Sequence, residues 1–492
     1  MQRFIILTLL VVQPLRAVIS VNSVWEVRPA TGSDNNGGGF VTGASGTDWS
    51  QQAAAQYSLT GLTTTGASAT IVTTSAAADM VGNLIQITGG TNFTTGFYQI
   101  VSQSTGVSIT VDRNATTGVG AAGTGAIGGA LATVSKAVNN VAANNVVYLK
   151  GTYTVTAILA FNINSDFGQP LTINGYSTTR DDGTRATWTT ATNSISLIDP
   201  SSSKNVLIKN VNFTNTAGTK GTGTTGAAII PVTANAGGIT IQSCSFDGFN
   251  VAISADWQNI SFALINLMVD NAEIKNSASH GAVVTGSAIV SSSFIHNNTG
   301  DGWHISSSGN NSAYNYTTMF LNNVFDSNGG NGITNASSQV QTTTLGGNVM
   351  IGLFANVFSR NTGDGVNSPL NHSGSTYAVN NIFWDNGGWG YNSSTSSALV
   401  NAVSKTNAFG SNTSGARQNF PVGLNDVTLT ASPFTSIGTD FSLNSTAGGG
   451  ALLKGVGYPG ATSFGSSTHR DIGPLQSASS SSGGQKGFPI VQ

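Results

Sequence analysis

Charge is scarce in this chain of 492 residues: only 8% of them are Asp, Glu, Lys or Arg, against about 25% in an ordinary globular protein. The formal net charge of −2 leaves no basic patch for a phosphate backbone or an anionic lipid surface, which disfavours nucleic-acid binding. Cysteine is scarcer still. Cys244 stands alone, so no intrachain disulfide exists, and its apolar position reads as a buried, inert thiol. The nine residues from Phe4 to Val12 are too few to span a bilayer as a helix. Low charge here does not mean disorder, because apolar periodicity persists and aromatics make up 8% of the chain. The polar surface is built instead from Ser, Thr, Asn and Gly, with 62 glycines. Such a surface suits an uncharged polar partner such as a glycan, and equally suits the plain exterior of an extracellular β-solenoid.

What is present is a repeat. Between Ile274 and Tyr391 one short pattern returns five times: Ile274 to Gly281, Ile295 to Gly302, Phe325 to Gly332, Phe358 to Gly365 and Phe383 to Gly390. The apolar residue and the last glycine are always seven apart, while successive copies start 21, 30, 33 and 25 residues on. A rigid local unit with elastic spacing is a solenoid signature. Upstream, Val206-x-Ile208-x-x-Val211-x-Phe213, Ile239-x-Ile241-x-x-Cys244-x-Phe246 and Leu267-x-Val269-x-x-Ala272-x-Ile274 repeat the apolar half. Period-two runs of this kind are strands with one buried face, and the one-residue slip between the pairs predicts a bend. The Asn-x-x-Gly-x-Gly that follows is expected to turn the chain, since Gly and Asn tolerate positive φ.

Stacked coils place equivalent residues about 4.7–4.9 Å apart. Phe325, Phe358 and Phe383 are therefore expected to stack inside, with Asn323, Asn356 and Asn381 forming an amide ladder beside them. These features, over roughly residues 140–410, resemble the right-handed parallel β-helix superfamily, the pectate-lyase-like fold. The resemblance implies an all-β solenoid with internal Phe and Asn ladders, and says little about activity.

In chain order, residues 1–17 read as a short signal peptide, with a first buried strand as the alternative because Arg16 interrupts a clean cleavage site. Residues 18–57 hold a strand, Val24 to Arg28, and a loop, Ser33 to Gly39, whose Asp34 reads as a loop former rather than a cation ligand. Residues 58–128 read as a small antiparallel β module, and 129–142 as a short helix, with Leu131, Val134, Ala137, Val138 and Val141 on one face, capping the solenoid's open end. The β-helix is expected over 143–410, with Arg180 to Arg185 a solvated loop. Residues 411–476 form a closing segment, and 477–492 a Ser/Gly linker with an apolar tail. The runs Asp440-Phe-Ser-Leu-Asn444 and Arg470 to Gln476 resemble the close of secreted and phage-associated β-helix proteins, which implies that Asp471-Ile472-Gly473 ends the last coil.

The candidate chemistry lies just before the repeated glycine, where His280, Asp301, Asn331, Asp364 and Trp389 follow one another. Asp301 and Asp364 fall two rungs, about 9–10 Å, apart, at the upper edge of the roughly 6.5–9.5 Å of an inverting glycosidase. Asp301, Asp364 and nearby His280 are thus the catalytic candidates; the alternative is that these are turn formers bonded to neighbouring backbone. The resemblance implies a calcium cluster with a basic residue, or three close aspartates with His, Arg and Lys, and neither set assembles from this sequence. Asp326 and Asp385 read as exposed turn residues. His296, His304 and His372 show no metal-ligand spacing and read as satisfied surface histidines, so neither a metal nor a cofactor is expected. Trp303, Asn331, Trp389 and Tyr391 are the candidates for glycan contact, the aromatics as stacking platforms.

These readings favour an extracellular, cell-surface or virion-surface β-helix whose work is structural display and adhesion, with glycan recognition along its turns. A tailspike-type polysaccharide lyase or inverting glycosidase is the first alternative. A self-assembling fibre subunit or trimer is the second.

Overall fold

The computed structural model of the chain describes residues 19, 22–160, 165, 169–200, 204–221, 226–230, 237–255, 266–306, 316–336, 349–368, 375–393, 401–458 and 471–475. The leader at 1–17, His372 and the tail at 477–492 lie outside the described residues. Two compact units are present, one of Met1–Glu26 with Thr31–Asn145, the other of Val27–Ala30 with Val146–Gln492.

The first unit carries a six-stranded antiparallel sheet with Tyr57–Leu62 at one edge and Thr70–Val72 at the other. Alternating residues of its strands, among them Leu62, Ile71, Ile85, Ile100 and Ile109, fill one core with Met80. The capping helix expected over 129–142 does not form as such: one helical turn, Val134–Val138, is all there is. Thr133 caps its start by accepting from the Lys136 N–H at 3.2 Å. The β-branched valines and then Asn139 and Asn140, weak helix formers, stop it before a second turn. Asp34 accepts from the N–H groups of Ala132 and Thr133 at 3.0 and 2.9 Å, so the Ser33–Gly39 loop is held to this turn.

In the second unit the coils stack into three parallel sheets, and each coil from the one holding Ile253–Ala255 to the one holding Gly415–Gln418 contributes one strand to each. One runs from Val146–Lys150 to Asn401–Lys405, an eleven-stranded one from Thr152–Thr154 to Val427–Thr428, and a seven-stranded one from Ile253–Ala255 to Gly415–Gln418. The coil that begins at Val349–Phe354 continues as Val357–Ser359 and Val366–Asn367. Strand Gly415–Gln418 carries the solenoid past the expected limit at 410.

One inward column on the second sheet runs through Trp188, Phe213, Phe246, Ile274, Ile295, Phe325, Phe358, Phe383 and Phe409. Phe325 stacks on Phe358 at 5.1 Å, Phe358 on Phe383 at 4.9 Å and Phe383 on Phe409 at 4.8 Å, the rings within 10° of parallel. Beside it Asn323, Asn356, Asn381 and Asn407 form the amide ladder, each Nδ2 donating to the next Oδ1 at 2.9–3.0 Å. A second ladder, Asn298, Asn328, Asn361, Asn386 and Asn412, repeats this geometry at the next corner with bonds of 2.8–2.9 Å.

The corners correct one expectation. The chain turns into the second sheet at Asn322, Ala355 and Asn380 (φ 58, 55 and 59°) and out of it at Asn297, Ser327, Arg360 and Asp385 (φ 54, 54, 51 and 60°). The left-handed residue is thus the one before each ladder asparagine, and the repeated glycines have no positive φ. They are glycine for space: a Cβ on Gly302, Gly332 or Gly365 would meet the carbonyl oxygen of the next coil's equivalent residue at 2.7, 2.5 or 2.6 Å.

The closing segment lies on the outside of the second sheet. Its hairpin of Phe434–Ser436 and Asp440–Leu443, with Leu453 and Ile472, packs on the outward residues Val324, Val357, Ile382, Trp384 and Ala408. Asp471-Ile472-Gly473 therefore does not end the last coil; Gly473 N–H bonds the Asn380 carbonyl at 2.9 Å, on the side of an earlier one. Over these last coils the outward positions of that sheet are apolar, and covering them is the favourable use of an apolar closing segment.

Asn356 donates to Phe320 O and Asn381 Oδ1 and accepts from the backbone and side chain of Asn323. Asn356→Leu orphans those groups in a dry interior and is expected to cost roughly 3–5 kcal/mol, whereas Phe358→Leu should cost less than about 2 kcal/mol. Guanidinium unfolding with hydrogen exchange on residues 349–367 measures both, and a wild-type profile for Asn356→Leu would refute the ladder's role.

Candidate functional site

His280, Asp301, Asn331, Asp364 and Trp389 do stand in one column, at the turn leading into the third sheet, as the pairing of Ala282, Trp303, Ile333, Val366 and Tyr391 requires. The column is itself a hydrogen-bond ladder. Asp301 N–H donates to His280 Nδ1 at 3.0 Å, Asn331 N–H to Asp301 Oδ1 at 2.8 Å, Asp364 N–H to Asn331 Oδ1 at 2.6 Å, and Trp389 N–H to Asp364 Oδ1 at 2.6 Å. The first glycine of Gly-x-Gly makes room for it. A Cβ on Gly330, Gly363 or Gly388 would fall 2.4, 2.3 or 2.1 Å from the side-chain oxygen of Asp301, Asn331 or Asp364.

Asp301 carries the strongest electrostatics of the column. Burial pushes its carboxyl up, but the adjacent His280 and His304 imidazoles and the hydrogen bond from the Asn331 N–H outweigh that and hold it well below the usual carboxylate range. Oδ2 lies 2.8 Å from His304 Nδ1 and 3.2 Å from His280 Nδ1, and the two imidazole rings sit 4.5 Å apart. Asp364 is engaged at both oxygens, Oδ2 accepting from Asn392 Nδ2 at 2.8 Å. A general acid must hold a proton to give away. Asp301 is kept ionised, and each oxygen of both carboxylates already accepts a bond.

Other candidates fall elsewhere. Trp303 and Tyr391 are not platforms on the surface; both are fully buried. Trp303 meets Phe320 edge-on at 5.7 Å and Tyr391 stacks on Phe420 at 3.8 Å. Strand alternation is the reason, because the residue after the turn glycine points inward and the next one, His304 or Asn392, points out. Asn331 and Trp389 are half-exposed. Asp326 is buried rather than a surface turn residue: Ser359 Oγ donates to it at 2.8 Å and the Arg360 guanidinium clasps both its oxygens. Asp385 is exposed, at a left-handed corner. His296 bonds Glu273 at 3.1 Å and stacks on Phe294 at 3.9 Å. Burial pushes the Cys244 thiol up to about 12. The residue missed from sequence is His304, which joins His280 and Asp301 in the one His, Cys, Asp and Glu cluster among the described residues compact enough for a metal ion, its donor atoms within 4.8 Å of one another. Its signal was the outward alternation after inward Trp303.

No family model matches the sequence, and no curated protein matches it. Solved structures do. Pectate lyase Pel9A is 17% identical over 70% of this chain and 91% of its own, with a TM-score of 0.40. The PL6 family alginate lyase AlyGC is 12% identical over 61% of this chain and 39% of its own, with a TM-score of 0.34. The tailspike gp49 of Acinetobacter baumannii bacteriophage Fri1, a capsular polysaccharide depolymerase, is 10% identical over 58% and 50%, with a TM-score of 0.30. At these values the likenesses carry no argument about activity. What decides the fold is the register of the three parallel sheets. The chain is a parallel β-helix. Among the described residues of this β-helix protein no helix is long and apolar enough to cross a membrane.

Asp301→Asn keeps an oxygen for the Asn331 N–H, as Asn331 itself does one rung on, and puts an uncharged amide nitrogen where Oδ2 faced the two imidazoles. A carboxyl depressed in the folded state contributes stability above its unfolded value of about 3.9, lost as pH falls through the folded value. The variant is therefore expected to be about 1–2 kcal/mol less stable at pH 7, with the gap closing below about pH 4. Denaturant midpoints across pH measure this, and a gap independent of pH would contradict it.

Proposed function

We propose that this β-helix is a display and adhesion protein of an extracellular, cell or virion surface that holds an uncharged glycan without cleaving it. One observation carries the reading: the carboxylates of Asp301 and Asp364, placed about two rungs apart, each accept a hydrogen bond from the protein itself at both oxygens. Beside them runs a polar strip on the third sheet, where part-exposed Thr334, Asn367 and Asn392 lie in one outward column next to Asn331 and half-exposed Trp389. Amides, hydroxyls and one indole face, with little charge, match the hydroxyls and apolar faces of sugar rings.

A panel of surface polysaccharides incubated with the protein is expected to yield neither reducing ends nor unsaturated products, while a subset binds. Trp389→Ala should weaken that binding about tenfold. A product whose formation Asp301→Asn or Asp364→Asn abolishes would replace this reading with a depolymerase.

Self-association is favoured by a separate feature. On the first sheet Met268, Ile289, Tyr377 and Val403 fall in one outward column through Met319 and Gly352, each of the four 37–42% exposed. An exposed apolar stripe of this length is a contact surface. Light scattering of the intact protein is expected to report an oligomer that Ile289→Lys dissociates; a wild-type monomer at all concentrations removes this part of the proposal.

A further inference from the structure

We propose that His280, Asp301 and His304 form a binding site for a divalent transition-metal ion of the zinc class, joining two adjacent coils. His280 comes from one coil and Asp301 and His304 from the next, yet their donor atoms lie within 4.8 Å of one another. Two imidazoles and one carboxylate are the donors that borderline ions such as Zn(II), Co(II) or Ni(II) take, and that Ca(II) or Mg(II), which want oxygen, do not.

Several features of the cluster suit a cation. Asp301 Oδ2 sits 2.8 Å from His304 Nδ1 and 3.2 Å from His280 Nδ1, only slightly closer than ligands of one tetrahedral ion with bonds of about 2.0–2.2 Å. Oδ1 is fixed by the Asn331 N–H, so the carboxylate is oriented by a second shell and presents its other oxygen. The His280 and His304 side chains are 29% and 22% exposed, which leaves an entry path and a fourth position for water. Binding exchanges the proton between Oδ2 and the His304 ring for the metal, and the His280 lone pair now facing the Asp301 N–H for a metal bond. The His304 ring proton moves from Nδ1 to Nε2 as the ion enters.

The test is calorimetric titration of full-length, tag-free, chelator-treated protein with zinc chloride, and separately with calcium chloride. One zinc per chain is expected, and no calcium. His304→Ala and His280→Ala should each weaken zinc binding by more than about tenfold, Asp301→Asn likewise, and His296→Ala should leave it unchanged. Cobalt should give the visible absorption of a low-coordinate site in the wild type and lose it in His304→Ala. Because Asp301→Asn keeps the turn ladder's acceptor, a variant that is less stable than the wild type but still folded at the titration temperature, and yet fails to bind, separates ligation from folding. No zinc binding, binding unchanged in both histidine variants, or equal loss in His296→Ala overturns the proposal.

Discussion

The strand spacing of about 4.8 Å governs this molecule. Each coil lies directly on the last, so a side chain's nearest neighbour is the residue at the same place one turn away, and every column must be compatible with itself. Flat rings meet this by stacking, and amides by chaining. In the two interior ladders each rung donates to the next and accepts from the previous one, which asks for a donor and an acceptor on one short side chain. Asparagine alone supplies both at that length. The ends behave differently: Ser293 gives only its backbone N–H to Asn323, and Asp426, an acceptor only, receives the N–H of Asn407.

The turn column obeys a looser rule. There the donor is always a backbone N–H of the following rung, so the side chain needs only to accept, and His280, Asp301, Asn331 and Asp364 all do. This accounts for the mixture of residue types at a position that looks chemically rich. The same bonds tie both oxygens of each carboxylate to the protein. Chemistry is left to two places: Trp389, which ends the column with no acceptor, and the Asp301 carboxylate, where a second oxygen meets two imidazoles.

The coils, the bend between paired strands, the phenylalanine stack and one asparagine ladder were legible in the sequence because each repeats at fixed spacing. The second ladder was equally written there, in Asn298, Asn328, Asn361 and Asn386, but glycines beside it offered a simpler account of the turn. The outward lining of the second sheet was legible as well: Val324-Phe325, Val357-Phe358 and Ile382-Phe383 are adjacent apolar pairs, one inward and one outward, which a sheet covered on both faces needs. What period alone could not supply was direction. Trp303 and Tyr391 lie beside a turn, and only the strand's alternation sends them inward and sends His304 out.

Stacking also explains the scarcity of charge. Like charges one rung apart would repel by about 1 kcal/mol in water and about 3–4 kcal/mol at a protein surface, at every step of a column. Charged residues in the coils are accordingly spaced or paired: neutral Asn331 separates Asp301 from Asp364, Glu273 sits between Lys275 and His296, and Asp326 lies against Arg360. The His280 and Asp301 rungs fit the same rule, since a carboxylate tolerates an imidazole above or below it where it would not tolerate a second carboxylate. A low-charge sequence is thus what a long column of self-neighbours demands, and the few ionised groups that persist mark the places where a rung has a partner other than its own kind.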